Sequence, residues 1–291
     1  MHPAPSVIIF TVFSGLGFGF LTYLGLGILT PTGATAFLIF ALAYALAVGG
    51  LLAATFHLGN PKNGLKAFSQ WRTSWLSREA WSSVACLTVL GFYALGAVFF
   101  DTHIRILGIL GAVLALVTVY FTSMIYAQLK TVPRWNHWMT SVVFGLFSLG
   151  GGALLSQQGG LAAGLLIALG VAMAFGWVSG DQQFAKHGST METATGLGKI
   201  GRVRLFESPH TGGNYLLHEM VYVVGRKHAV KLRVIAILCA VVLPLLLLWV
   251  WPANTVVILI AALVHILGAL VARWLFFAEA EHVVGLYYGK R

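Results

Sequence analysis

Long apolar stretches separated by shorter polar segments dominate this chain. A helix that crosses the hydrocarbon core of a bilayer needs about 20 predominantly apolar residues, because each residue advances about 1.5 Å through a core about 30 Å thick. Eight stretches meet that length, and we predict spans at residues 6–29, 35–57, 79–100, 105–128, 138–156, 160–178, 232–251 and 254–277. The pattern predicts an all-α integral membrane protein, an eight-helix bundle forming a single anchor domain over residues 1–291.

The composition agrees with a membrane protein and excludes several other classes. Hydrophobic residues make up 58% of the chain and charged residues only 9%, whereas a soluble domain carries about 25% charged residues. In so apolar a chain, the net charge of +10 indicates membrane topology and contact with anionic lipids, not nucleic-acid binding. Cys86 and Cys239 both lie in apolar runs, so we expect any iron-sulfur cluster to belong to a partner protein. The first apolar run is too long and glycine-rich for a signal peptide, and we expect it to be retained.

The basic residues divide unequally between the two ends of the predicted bundle. If the first span starts on side A, 17 of the 18 Lys and Arg residues fall on that side and only Arg105 falls on the other. The positive-inside rule then makes side A cytoplasmic. We therefore expect a bacterial inner (plasma) membrane protein with both termini in the cytoplasm. Some of this charge could instead dock a partner protein, and both explanations can hold together.

The segment 179–231, between the sixth and seventh spans, is the one sizeable part predicted to lie outside the membrane, and we expect it to be a cytoplasmic loop. Within it, YLLHEMVYVVGRKH has an apolar and a polar helical face, which predicts an interfacial helix. Gly196, Gly198 and Gly201 match a G-x-G-x-x-G pattern. No βαβ pattern surrounds them, so a flexible basic loop is the favoured interpretation over a dinucleotide site.

Three polar residues border the membrane on side A and could share a cavity. His57 ends the second span, Glu79 opens the third, and Tyr126 lies about one turn before the end of the fourth. An imidazole can donate to a carbonyl oxygen or carry a proton, a carboxylate can relay protons, and a phenol can donate to a second oxygen. Quinone chemistry needs these functions. Alternatively, His57 and Tyr126 anchor the interface and Glu79 is a favourable charge at a helix N-terminus.

A haem-binding interpretation competes with the quinone hypothesis. A b-type haem in a bundle needs axial His ligands at similar depth on facing helices. His57 lies at a helix end whereas His265 lies near mid-membrane, so their depths argue against a haem, and we expect His265 to be a hydrogen-bonded packing residue. We expect exposed interface groups after the last span at Glu279, Glu281 and His282. The remaining candidates follow no metal-ligand spacing: His137, His187, His210, His218 and His228.

Four motifs resemble those of a known family. They are IIFTVFSGLGFG in the first span, HLGNPKNGLKAF after the second, SREAW at the third, and TVPRWNHW after the fourth. This combination is similar to the membrane anchor subunits of the dimethyl sulfoxide reductase family, which are eight-helix subunits of complex iron-sulfur molybdoenzymes. The long basic loop and the ending FFAEAEHVVGLYYGKR look most like the anchors of cytoplasm-facing sulfite dehydrogenases. The second half of the chain resembles the family in topology only, and the 179–231 segment is longer than the usual connection.

The resemblance implies a complex of three subunits, in which two partners lie on the cytoplasmic side of this membrane anchor. A molybdopterin subunit would act on the sulfur substrate, a ferredoxin-like subunit would carry iron-sulfur clusters, and the anchor would exchange electrons and protons with ubiquinone or menaquinone. The family's quinone-site residues map onto His57 and Glu79, with Tyr126 a looser match. We include Arg134 and Trp135 of TVPRWNHW in the expected quinone-binding set.

Other functions make different predictions. A haem b-containing cytochrome subunit would show a Soret absorbance, and a solute transporter would place polar groups near the membrane centre. Within the family, quinone reduction coupled to sulfite oxidation and quinol oxidation for a dimethyl sulfoxide reductase would use the same cavity. The partner's substrate couple sets the direction of electron flow.

Overall fold

The computed structural model of the protein describes residues 1–207, 210, 212–221, 224–252 and 254–289. The described part is all-helical, without strands, and confirms the predicted fold class. Three residues that entered the sequence predictions, Val223, Lys290 and Arg291, lie outside the described residues. Within these described ranges, eight helices are long and apolar enough to span a membrane: α1 (Pro5–Gly25), α2 (Gly33–Thr55), α3 (Trp75–Phe99), α4 (Arg105–Ala127), α5 (Trp138–Leu155), α6 (Gly159–His187), α7 (Arg226–Val250) and α8 (Thr255–Ala278).

Two helices extend beyond the predicted spans. α3 begins at Trp75, one turn before residue 79, so Glu79 lies inside the helix. α6 continues to His187 and ends at Gly188, which adopts a left-handed conformation with φ of 68° that glycine takes without steric cost. Hydropathy falls after residue 178, but the helical hydrogen bonds do not stop where the apolar run stops. The predicted loop 179–231 therefore begins with about two turns of helix.

The segment after α6 packs against the chain ends. It contains the short helix Met191–Thr195 and three further short helical stretches, Leu197–Lys199, Leu216–Met220 and Val224–His228. The last two take the place of the one continuous interfacial helix that the sequence predicted, and Val224–His228 runs into the start of α7. The Tyr287 hydroxyl donates to the Ala194 carbonyl at 2.6 Å, and the His2 amide donates to the Glu219 carbonyl at 2.7 Å. These contacts hold the segment to the N- and C-terminal ends.

α1 is the most buried of the eight helices and contacts α2, α4, α5 and α8. Small residues allow close approach: a Cβ on Gly152 of α5 would lie 2.4 Å from the backbone of Gly19. Such small-residue contacts are typical of membrane helix pairs, where packing replaces hydrophobic burial as the main attraction. The segment Phe10–Ser14 of α1 is a π-helical turn, and the Ser14 hydroxyl donates to the Phe10 carbonyl at 2.6 Å.

Hydrogen bonds join the N-terminus, the α4–α5 connection and the segment after α8 at one end of the bundle. The Val283 amide donates to the Thr131 carbonyl at 3.0 Å, and the Met1 amine donates to the Ala280 carbonyl at 2.7 Å. The N-terminus, the α4–α5 connection and the segment after α8 thus lie together, as an even number of crossings requires. This is the end that the charge distribution assigns to side A, and its cytoplasmic orientation stays a prediction.

Candidate functional site: a buried carboxyl and an arginine between two cavities

Glu79 lies in the interior of the bundle, where α3 and α4 pack together. Its side chain is 3% exposed and is hydrogen-bonded to the hydroxyl of Thr122 on α4. The same hydroxyl lies 3.0 Å from the carbonyl oxygen of Thr118, one turn earlier. Thr118 also donates to Ser82, at 3.1 Å, on the Glu79 helix. A row of hydroxyl groups therefore lines the α3–α4 contact beside the carboxyl.

This arrangement accommodates Glu79 with or without a proton. A threonine hydroxyl has one hydrogen and can also accept. When Glu79 is ionised, Thr122 can donate to it; when Glu79 is protonated, its own O–H can donate to Thr122, which then donates to the Thr118 carbonyl. Among the described residues, no cation forms an ion pair with Glu79. Its local contacts therefore suit a group that gains and loses a proton.

Tyr126 follows one turn after Thr122 on α4 and is enclosed by aromatic rings. Its ring centroid lies 5.4–5.8 Å from those of Trp135, Phe144, Phe276 and Phe277, and the side chain is 7% exposed. Thr122, one turn earlier on the same helix, holds the Glu79 carboxyl. Tyr126 thus belongs to the same interior region as Glu79.

Trp135 fixes the connection after α4 to the end of α8. Its indole N–H donates to the Phe276 carbonyl at 2.8 Å, and its ring stacks on Phe276 at a centroid distance of 5.1 Å. The side chain is 2% exposed, so Trp135 forms part of the aromatic wall beside Tyr126.

Arg134 belongs to an ion-pair network formed by Arg134, Asp181, Arg233 and Glu279. Arg134 pairs with Asp181, and also with Glu279 at 3.4 Å. Arg233 of α7 pairs with Asp181 at 2.6 Å and Glu279 at 2.7 Å. The prediction that Glu279 is an exposed interface group is wrong, because its side chain is 4% exposed between the two arginines. The network connects the α4–α5 connection, α6, α7 and the end of α8.

The two histidines considered for a haem lie in different surroundings. His57 is exposed in the turn after α2, and among the described residues no hydrogen bond, ion pair or ring contact joins it to Glu79 or Tyr126. His265 is 2% exposed, and its Nδ1 donates to the Ala240 carbonyl at 2.7 Å. The expectation that His265 is a hydrogen-bonded packing residue is confirmed. The structure brings Glu79, Tyr126, Arg134 and Trp135 into neighbouring interior positions and leaves His57 outside them.

Arg273 of α8 was not singled out from the sequence, where it counted only as a side A charge. Its side chain is 4% exposed, and its guanidinium carbon lies 3.4 Å from the centre of the Phe144 ring. Among the described residues it forms neither an ion pair nor a hydrogen bond. The signal available in the sequence was a basic residue inside the last apolar run, VARWLFFA.

Arg273 lines two cavities. The smaller cavity, between α1, α4, α5 and α8, has a volume of about 20 Å³, and its walls include Thr122 and His265. The larger pocket, between α5, α6 and α8, has a volume of about 80 Å³ and is bordered by Arg134 and Glu279. One water molecule needs about 10–15 Å³ of cavity volume of this kind. The smaller cavity can therefore hold about one water and the larger pocket about five.

Comparisons with known proteins agree with this architecture. The family model described as "DMSO reductase anchor subunit (DmsC)" matches residues 1–289. The chain is 28% identical to a sulfite dehydrogenase subunit from Allochromatium vinosum, with 99% of each chain covered. No solved structure matches the chain. With the family model spanning nearly the whole sequence, this eight-helix chain belongs to the DMSO reductase anchor subunit family, the membrane anchors of oxidoreductase complexes.

Proposed function

We propose that this anchor passes electrons from an iron-sulfur partner to quinone in the membrane, and that the complex oxidises sulfite. The observation that carries the quinone proposal is Glu79, a carboxyl 3% exposed inside a membrane helix with a hydroxyl partner. An ionisable group in such a position is costly and marks a functional site by default. Sulfite as the substrate is supported by the name of the Allochromatium vinosum relative.

The proposed reaction balances without another reactant. Sulfite and one water give sulfate, two protons and two electrons, and quinone takes up two electrons and two protons to become quinol. The partner subunits supply the chemistry on sulfur through molybdopterin and the electron path through iron-sulfur clusters. Glu79 holds and transfers a proton on the membrane side, and Thr122 accepts or donates the hydrogen bond as the carboxyl changes state.

The interior of the bundle has suitable space for a quinone head group. Rings and thioethers line much of the larger pocket, and its polar groups include Arg134, His137, Thr140, Ser179, Arg273 and Glu279. Apolar walls with positioned polar groups are typical of small-molecule sites. The rings of Tyr126 and Trp135 both contact the ring of Phe276, which lines that pocket. His57 was expected to bind the same quinone, and its exposed position suits an outer role, in proton exchange with water.

The partner subunits are proposed to dock at side A. The connection between α2 and α3 exposes Lys62, Lys66 and Arg72, together with Leu65, 83% exposed, and Trp71, 56% exposed. Large apolar side chains among exposed basic ones are typical of a protein interface or a membrane surface. Docking here would bring the clusters to the same end as the ion-pair network. In the reverse direction, the same residues would serve quinol oxidation for a dimethyl sulfoxide reductase-type partner.

Replacing Glu79 tests the quinone proposal. Glu79→Gln keeps the size of the side chain and removes the titrating proton, so we expect quinone-linked turnover of the purified complex to fall by at least about a hundredfold, the range for loss of a proton-transfer group. Turnover with a soluble artificial electron acceptor should be unchanged, because that route bypasses the membrane. Glu207→Gln, at an exposed carboxyl, is the matched control and should behave like the wild type.

Two further variants separate the roles of the neighbouring groups. Thr122→Val removes the hydroxyl partner of Glu79 and should slow quinone-linked turnover less than Glu79→Gln does. His57→Ala should have a small effect if it serves only proton exchange with water. Unchanged quinone-linked turnover in Glu79→Gln, in a complex that assembles normally, would show that Glu79 is structural and would refute the proposal.

A further inference from the structure

The larger pocket has the walls of a binding site for a flat ring. Its rings come from three helices, and its methionines contribute flexible apolar surface. Phe144 and Phe147 lie on α5, Trp177 on α6 and Phe276 on α8. Aromatic faces at several angles around one volume favour a ligand with a planar ring.

Among the described residues, the charges around this pocket leave one cation, Arg273, without an anionic partner. At its border, Arg134 shares Asp181 and Glu279 with Arg233, so two positive and two negative groups balance. Arg273 lies deeper, 4% exposed, and stacks over Phe144. Burying an arginine in a membrane bundle without a carboxylate or carbonyl partner is costly. A ligand oxygen that accepts from Arg273 would offset that cost.

Arg273 also connects this pocket to Glu79. Arg273, Phe144 and Phe147 line both the larger pocket and the smaller cavity. Thr122, the hydrogen-bond partner of Glu79, also lines the smaller cavity. Because that cavity holds about one water, a single water can lie between Thr122 and the arginine. The carboxyl is thus linked to the pocket through a hydroxyl and a water-sized space.

We propose that the larger pocket between α5, α6 and α8 binds the quinone ring, with Arg273 donating to one of its carbonyl oxygens. This inference rests on the proposed function and identifies the place and the donor within it. A fixed positive donor stabilises the negative charge that develops on a carbonyl oxygen during reduction. The ring then lies on the α8 side of Glu79, away from His57.

Substitutions at two positions test this site in the intact complex. Arg273→Gln removes the charge and Arg273→Lys keeps it, so we expect the KM for a soluble quinone analogue to rise by about tenfold or more in the first and less in the second. Gly176→Leu fills the pocket from α6 and should raise the KM similarly. Its control is Gly176→Ala, whose Cβ would contact Met139 at an ordinary 3.4 Å. Arg105→Gln, at an exposed arginine, controls for loss of a positive charge.

A binding measurement accompanies the kinetics. An azido-quinone should photolabel peptides of α5, α6 or α8 in the wild type, and the labelling should fall in Arg273→Gln and in Gly176→Leu. Activity with the artificial acceptor should remain normal in all variants, which reports an intact complex. If Arg273→Gln does not assemble, Gly176→Leu with its alanine control decides the result.

The results of these experiments distinguish failure of the proposed binding site from failure of the proposed quinone reduction. If Glu79→Gln abolishes quinone reduction while Arg273→Gln and Gly176→Leu keep the wild-type KM and labelling, the ring binds elsewhere and only this site is refuted. If the wild-type complex neither reduces nor binds quinone, the proposed function fails with it. Loss of a co-purified phospholipid from Arg273→Gln, with the quinone KM unchanged, would assign the pocket to a lipid phosphate and overturn the proposal.

Discussion

Removal of the Glu279 side chain should weaken the side A end of the bundle. It is 4% exposed and contacts Arg233 at 2.7 Å and Arg134 at 3.4 Å. Removing one partner of a fully buried pair costs about 3–5 kcal/mol. Here both arginines keep Asp181 and are 17–20% exposed, so we expect Glu279→Gln to lower the free energy of unfolding by about 2–3 kcal/mol.

Unfolding of the purified chain in mild detergent by increasing SDS, followed by tryptophan fluorescence, measures this change. Asp181→Asn should cost about 1 kcal/mol or less, because the Asp181 side chain is 47% exposed and solvent screens its pairs. Glu281→Gln, at a carboxyl 23% exposed and 3.6 Å from Arg226, is the matched control. An effect of Glu279→Gln no larger than that of Glu281→Gln would refute the conclusion that the network stabilises this end.

Three further expectations concern packing, pH and topology. Gly152→Val should prevent assembly or lower stability strongly, because its side chain would overlap Gly19, whereas Gly145→Val, with open space around its Cβ, should not; SDS unfolding compares the two. Burial lowers the pKa of His137 below its ordinary 6.5, and the neutral ring caps α5. Its contribution to stability should be present above about pH 6.5 and be lost as the pH falls, a dependence that His137→Asn should reduce. An alkaline phosphatase fusion within residues 188–207 should be inactive if this segment is cytoplasmic.

The eight spans could be predicted from the sequence because hydropathy over about 20 residues is a local property. The ends were less predictable for the same reason. α6 continues through Asp181 to His187, since polar residues end an apolar run without breaking a helix. The interfacial helix expected from the pattern of residues 215–228 is divided into short turns, because contacts with the chain ends outweigh local amphipathicity.

Pairings between distant residues explain what the sequence did not predict at the site. Glu79 was identified as a candidate, but its partner Thr122 lies 43 positions away. The expected exposure of Glu279 was wrong because its partner arginines come from other parts of the chain, 145 and 46 positions away. Arg273 could have been suspected as a charge inside an apolar run, but its place between two cavities depends on the packing of α5 against α8.

Quinol formation by the purified complex tests the central claim most directly. The complex would be isolated through a tag on this chain, supplied with sulfite and a soluble quinone analogue, and assayed for sulfate and quinol together. We expect one quinol for each sulfate, with molybdenum and iron-sulfur subunits present in the preparation. Sulfite oxidation that reduces an artificial acceptor but yields no quinol, in a preparation that contains this anchor, would contradict the account.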